Sequence, residues 1–273
     1  MATAPIATTG HMPPPSLSRS LAIQSRVVFA LLMREVLTRY GRHNIGFLWL
    51  FFEPMSFTAG VTLLWNATMA IHGMDLPITA FAVTGYSTVL LWRNMPSRCI
   101  DSVKTNLPLL YHRNVRVIDI FLSRCLLEAA GATLSYVLLI AFFSFIGLMK
   151  LPEDVLKVIE AWLLLGWFGL ALAILLGALS EQSELVDRVW HPLAYIIFPI
   201  SGAGFLVDSL PKSFQAVVMW VPMVHGMELM REGYFGSLIH AHYNISYLVV
   251  TNLVLTLLGL AQTRKISRMV VPE

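Results

Sequence analysis

The stretch that decides the fold is GFLWLFFEPMSFTAGVTLLW, Gly46 to Trp65. It has the roughly 20 mainly apolar residues that a bilayer-crossing helix needs, yet Glu53 and Pro54 sit side by side inside it. An acidic residue at the centre of a spanning helix costs about 2.5–3.5 kcal/mol on insertion scales, and a proline inside a helix removes a backbone hydrogen bond. A chain that keeps both places the carboxylate against protein or water and gives it a partner. Arg93 and Arg98, at similar depth, are the candidate partners. Glu53 then serves either as half of a buried pair that fixes helix packing or as part of a transport pathway.

Composition supports the membrane reading. Hydrophobic residues make up 56% of the 273 and charged residues only 13%, about half the charge of an ordinary soluble domain; mean hydropathy is +0.69. The apolar runs predict an all-α polytopic membrane protein with six spans, at about 46–70, 78–97, 119–148, 160–180, 192–208 and 245–262. A seventh patch, FQAVVMWVPMVHGM (214–227), is too short and is broken by Pro222 and Gly226. Within the outer segment 209–244 it reads as a pair of short helices that dips into the outer leaflet and returns; backbone of that kind is tolerated only where protein or water surrounds it.

With both termini inside, 15 of the 19 lysines and arginines fall in inner segments and only Lys150, Lys157, Lys212 and Arg231 in outer ones. That asymmetry orients the chain in the membrane, so the net charge of +3 reports topology and gives no reason to expect nucleic acid. Residues 1–16, MATAPIATTGHMPPPS, read as a disordered tail without the apolar core of a signal peptide. Segment 17–45 reads as an amphipathic interfacial helix: Leu17, Leu21, Val28 and Leu32 fall within an arc of about 60° at helical spacing. Arg19, Arg26 and Arg34 take the other side, facing headgroups. The permease domain is 46–268 and the cytosolic tail 269–273.

Chemistry is sparse. No glycine-lysine pair exists from which to build a phosphate-binding loop, so any ATP must be bound by another polypeptide. PISGAG (199–204) resembles an intramembrane-protease serine motif, but Pro199 stands where glycine is needed and the last span holds no histidine base. HAH (240–242) lacks a third metal ligand nearby. Cys99 and Cys125 both fall near the inner face, where a reducing compartment disfavours a disulfide. The small-residue stripe Gly169, Ala173, Gly177 allows a close helix contact, either within the chain or across a dimer.

Three stretches carry a family resemblance: LWLFFEP (48–54), NLPLLYHRNVRVIDIFLSRCLLE (106–128), and WHPLAYIIFPISGAGFLVDSLP with WVPMVHGMELMREGYFG (190–236). In order and over about 17–268, the chain resembles the capsule-polysaccharide export permeases of the KpsM type, relatives of the O-antigen permeases. One departure is YHRN (111–114), where many relatives carry a Tyr-Tyr-Pro-like turn. The resemblance implies the membrane subunit of an ABC exporter. Its expected partners are a second copy in a homodimer, two phosphate-loop ATPase subunits that bind ATP and Mg, a periplasmic adaptor and an outer-membrane export protein. The implied cargo is a lipid-linked acidic polysaccharide.

Coupling to the ATPase is expected at Arg39 and Arg42 and at Asn106, Leu109, Leu110, Tyr111 and Arg113. Leu109, Leu110 and Tyr111 form the exposed apolar knob of that site, although the nearby basic residues also serve topology alone. The translocation path is expected to include Glu53, Arg93, Ser201, His225, Glu228, Arg231 and Tyr234. His225, Glu228 and Arg231, at i, i+3 and i+6 of a helix, would border the exit with Tyr234 or Phe235 as a sugar-stacking face. The alternative is that Glu228 and Arg231 satisfy each other.

Overall fold

The computed structural model describes residues 17–40, 44–68, 76–111 and 114–270. The predicted tail at 1–16 and the candidates Arg42 and Arg113 lie outside them. Every element among the described residues is helical. In chain order the α-helices are α1 (Leu17–Tyr40), α2 (Asn44–Thr68), α3 (Ile78–Cys99), α4 (Ser102–Thr105), α5 (Leu107–Leu110), α6 (Val117–Phe145), α7 (Val155–Ser180), α8 (Leu185–Ile200), α9 (Lys212–Val218), α10 (Pro222–Phe235) and α11 (Ile245–Val270).

Three of them, α6, α7 and α11, are long and apolar enough to cross a membrane on length and composition alone. Helices α2 and α3 lie at two of the other predicted positions, and α8 overlaps the third in part. Lower hydropathy in α3 has a structural cause. It is the central helix, and its Thr79, Thr84, Ser87 and Thr88 are buried against other protein rather than lipid. Thr84 and Thr88 bond back to the carbonyls of Ala80 and Gly85 at 2.8 and 2.7 Å, which satisfies their hydroxyls inside the helix.

The fifth predicted span is displaced. The sequence places it at 192–208, whereas α8 runs 185–200. The amphipathic turn Leu185–Trp190 extends the helix backward. A turn at 201–204, with Gly202 at φ +85°, ends it; the left-handed region favours glycine there. The last helix also extends past its predicted end at 262 and carries Arg264, Lys265 and Arg268 out on its final turns.

Helix α7 is the hub, packed against α3, α10 and α11. The small-residue stripe serves this packing within the chain. A Cβ on Gly169 would stand 2.8 Å from Trp92 Cα, and one on Gly177 would meet Phe121 Cε1 at 2.8 Å. Glycine here is what lets α3 and α6 approach α7. Cys99 and Cys125 face each other across α3 and α6 in the same core, both buried and free, with Sγ atoms 3.5 Å apart.

Helix α1 is tied to α6 and to the residue between α4 and α5. Gln24 Nε2 donates to Asp119 Oδ1, and Arg34 Nη1 donates to Asn106 Oδ1 at 2.8 Å. Of the predicted lipid-facing residues, Leu17 and Leu21 are exposed, while Val28 and Leu32 are half-buried. Phe29, Met33 and Leu37 continue the exposed apolar stripe at four-residue spacing. The stripe inclines across the helix because packing on α6 takes the rest of the surface.

Candidate functional site

Glu53 opens into a polar cleft among α2, α3, α6 and α8. Two adjoining cavities of about 280 and 270 Å³ share Glu53, Arg93, Asn94, Arg98 and Tyr195 in their walls. Residues 53, 93 and 94 are half-buried. The expected ion pair of Glu53 with Arg93 or Arg98 is absent among the described residues. Arg98 goes instead to Glu128, with Nε 3.3 Å from Oε1. Arg93 lies 5.3 Å from the centroid of the Tyr195 ring, within the range of a cation–π contact. Besides the Arg98–Glu128 pair, which also lines it, the cleft therefore holds one carboxylate, Glu53, and one guanidinium, Arg93, from different helices and in no ion pair among the described residues.

Below the cleft runs an ion network that the sequence reading did not assemble. Arg39 pairs with Glu35 at 2.9 Å and also with Glu128. Arg124 pairs with Glu35 at 3.4 Å and donates to the Arg98 carbonyl at 2.7 Å. Side chains of Glu35, Arg39, Arg124 and Glu128 are all between 10 and 16% exposed. The network ties α1 to α6 and, through Arg98, to the cleft. Arg39, an expected ATPase contact, is thus committed to an internal pair. A usable signal existed, since Glu128 lies in a predicted span as Glu53 does, and the same rule for intramembrane carboxylates singles it out.

The outer cluster also differs from expectation. His225, Glu228, Arg231 and Tyr234 are all buried, at 3, 1, 0 and 4% exposure, so they do not border an open exit. Phe235 is buried too. Nor do Glu228 and Arg231 form an ion pair among the described residues; each holds a loop. Glu228 accepts from the backbone N–H groups of Val207 and His242 at 3.2 and 3.0 Å. Arg231 donates to the carbonyls of Ala203 (2.6 Å) and Phe205, and its guanidinium carbon lies 3.7 Å from the Phe81 ring centroid. His225 Nδ1 accepts from the Asn244 N–H at 3.0 Å. Nε2 therefore carries the hydrogen and donates to the Met219 carbonyl at 3.0 Å. The ring is neutral in this arrangement. Tyr234 donates to the Lys150 carbonyl. Gly226 and Gly233 bring α10 onto α7, within 2.6 Å of Leu165 and 2.8 Å of Val158 by the positions their Cβ atoms would take. That seating turns the polar face toward the loops 203–207 and 242–244.

Ser201, another expected path residue, is fully buried and donates to the Phe198 carbonyl at 2.7 Å, closing the end of α8.

Helices α4 and α5 make an elbow between α3 and α6. Leu110 is a correction: it is 5% exposed and belongs to the main core. The apolar surface of the elbow is Leu107 and Tyr111, 40 and 85% exposed, with Leu109 half-buried between them. Leu107 and Tyr111 are four apart and share a face, which leaves Leu110 underneath. Asn106 is buried and braced by its bonds to Ser102 and Arg34. Glu181 Oε1, from the α7–α8 turn, accepts from the N–H groups of Val103 and Lys104 at 3.2 and 3.4 Å. Burial raises its carboxyl above the usual range against the pull of those two bonds. Asp101 precedes α4 at φ +53°, and its N–H is held by Ser180 Oγ at 3.1 Å.

A helical bundle with spanning-length apolar helices, a polar cleft between them and a braced inner elbow describes the membrane part of a transporter. The chain belongs to the ABC-2 type transporter family, whose family model matches residues 26–235. It is 45% identical over 258 residues, 94% of this chain and 97% of the relative, to the capsule polysaccharide export inner-membrane protein CtrC of Neisseria meningitidis serogroup B. The capsule polysaccharide export inner-membrane protein BexB of Haemophilus influenzae is 43% identical over the same shares. The polysialic acid transport protein KpsM of Escherichia coli is 26% identical over 242 residues, 89% of this chain and 94% of the relative. The resemblance read from the three sequence motifs is therefore sound, and the chain is a transport protein rather than an enzyme.

Proposed function

We propose that this chain is the membrane subunit of an ABC exporter that moves lipid-linked capsular polysaccharide from cytoplasm to periplasm. The observation that carries the reading is 43–45% identity across 94% of the chain to inner-membrane proteins named for capsule polysaccharide export. The subunit works as a homodimer in the bacterial inner membrane, with six spans and both termini cytoplasmic. In support, a helix overlaps each predicted span, the fifth only over 192–200, and under this topology the basic residues are biased to one side. The short pair α9–α10 forms the outer re-entrant element.

Two copies of a separate phosphate-loop ATPase bind ATP and Mg and supply the energy, because this chain has no phosphate-binding loop. Force from nucleotide closure enters at the α4–α5 elbow. Its exposed Leu107 and Tyr111 suit partner contact, and its cross-ties to α1, α7 and Glu181 make it rigid enough to transmit motion. A periplasmic adaptor and an outer-membrane export protein take the polymer onward.

Purification of the chain from its native membrane tests the reading. A phosphate-loop ATPase is expected to co-purify, with hydrolysis that rises on addition of lipid-linked polysaccharide. A response to free lipid or small hydrophobic compounds alone would replace the polysaccharide with another cargo.

A further inference from the structure

The geometry points to a single-sugar subsite in the cleft among α2, α3 and α8, where Glu53 and Arg93 together grip the hydroxyls of one ring of the passing polymer. The inference rests on the export reading and deepens it.

Glu53 and Arg93 line the same cavities from different helices, and no ion pair joins them. Half-buried charges in a low-dielectric setting need partners, and the bound molecule must satisfy both signs at once. A simple anion, such as a phosphate headgroup, would gain Arg93 but meet the Glu53 carboxylate in the same space. A cation would meet the converse problem. A sugar hydroxyl both donates and accepts. Neighbouring hydroxyls of one ring can therefore donate to Glu53 and accept from Arg93, with the Asn94 amide able to do either.

Beside the Arg98–Glu128 pair, His191 and a few small or aliphatic side chains, the wall carries three aromatic rings. Tyr86 and Phe57 line the larger cavity and Tyr195 lines both, and Tyr195 is 70% exposed. An aromatic ring offers a flat apolar surface to the C–H face of a sugar while its polar edge stays wet. Tyr195 is also the ring beside Arg93, so the stacking surface and the donor are held in one unit. A cavity of about 280 Å³ lies at the lower end for small-molecule sites. It suits one ring at a time, which lets a polymer step through without being trapped at many contacts.

The inference commits to hydroxyl recognition, so Glu53→Gln, which keeps an acceptor oxygen, should preserve capture, whereas Glu53→Ala should not. The test places a photoreactive benzophenone amino acid at position 195 of the full chain in the polysaccharide-producing strain. A second strain carries it at position 163, in the apolar groove between α6 and α7. After irradiation, position 195 is expected to give a high-mass adduct that periodate destroys, and position 163 none. Glu53→Ala should lower the adduct about tenfold, as expected for loss of a hydrogen bond to a charged group, at equal amounts of membrane-extracted protein. A periodate-resistant, lipid-only adduct at 195 would overturn the sugar subsite in favour of a headgroup. So would an adduct indifferent to Glu53→Ala. The wild-type background at 195 remains decisive if that variant fails to fold. Deleting the chain separates this from the export reading. Surface polysaccharide that persists after deletion sinks export itself; polysaccharide lost on deletion, with nothing captured at 195, sinks the subsite alone.

Discussion

Glu128 shows how a single carboxylate can tie helices together. It accepts from Arg39 of α1 and Arg98 of α3 while sitting on α6, so three helices meet on one side chain that is 10% exposed. Attraction in such a pair is offset by desolvation, but removing one partner strands the others. Glu128→Ala leaves Arg98 without its carboxylate and Arg39 with Glu35 alone. Its cost is expected at about 1–3 kcal/mol, below the fully buried case because Arg98 is 44% exposed. Thermal unfolding of the purified permease checks this. Adding Arg39→Met should recover part of the loss, and strict additivity of the two changes would mean that the residues do not interact.

At the scale of elements, α9 and α10 are adjacent and opposite in character. Phe214, Val217 and Trp220 are 62, 66 and 77% exposed, whereas Met223, Met227 and Arg231 are at most 5% exposed. Single cysteines from 214 to 231 in a cysteine-free background should therefore react with a membrane-impermeant thiol reagent added outside in two regimes. Positions 214, 217 and 220 are expected to give a signal governed by lipid depth, and 223, 227 and 231 near-complete protection. Strong labelling at 227 would contradict the seating of α10 on α7. Arg231 further binds α10 to the turn after α8 through two carbonyls. Arg231→Met removes a buried charge but leaves both acceptors unpaired, at about 1–3 kcal/mol for each. Faster proteolysis within 201–210, ahead of global unfolding, is the expected sign.

For the whole molecule, the proposed docking at the elbow can be tested apart from stability. Tyr111→Ala with Leu107→Asp alters exposed side chains and should leave the unfolding temperature unchanged. In a purified complex with the ATPase it should sever hydrolysis from export. Leu110→Asp places a charge in the main core and should instead lower the yield of folded protein. If the first pair also reduces yield while the complex stays coupled, the docking surface lies elsewhere. The cross-ties of Glu181 and Ser180 to the start of α4 make the elbow rigid, because free N–H groups there are held by the end of α7 and the turn after it.

The sequence by itself determined the all-helical membrane class and the family, and it placed most of the long helices, though not the bounds of α8. Those follow from apolar run length, the bias of basic residues and three local motifs, all properties of contiguous residues. It also marked Glu53 as out of place in its surroundings and named Arg93 and Arg98 as candidate partners. Tertiary structure alone decided their neighbours. Arg98 turns to Glu128 rather than Glu53 because α6 brings a second carboxylate alongside, which no spacing in the chain reveals. His225, Glu228 and Arg231 share a helix face as read, but that face meets the 203–207 and 242–244 loops instead of an exit. Leu110 and Tyr111 are chain neighbours with opposite fates for the same reason. Periodicity fixes which side of a helix a residue takes; only packing between distant segments fixes what that side meets.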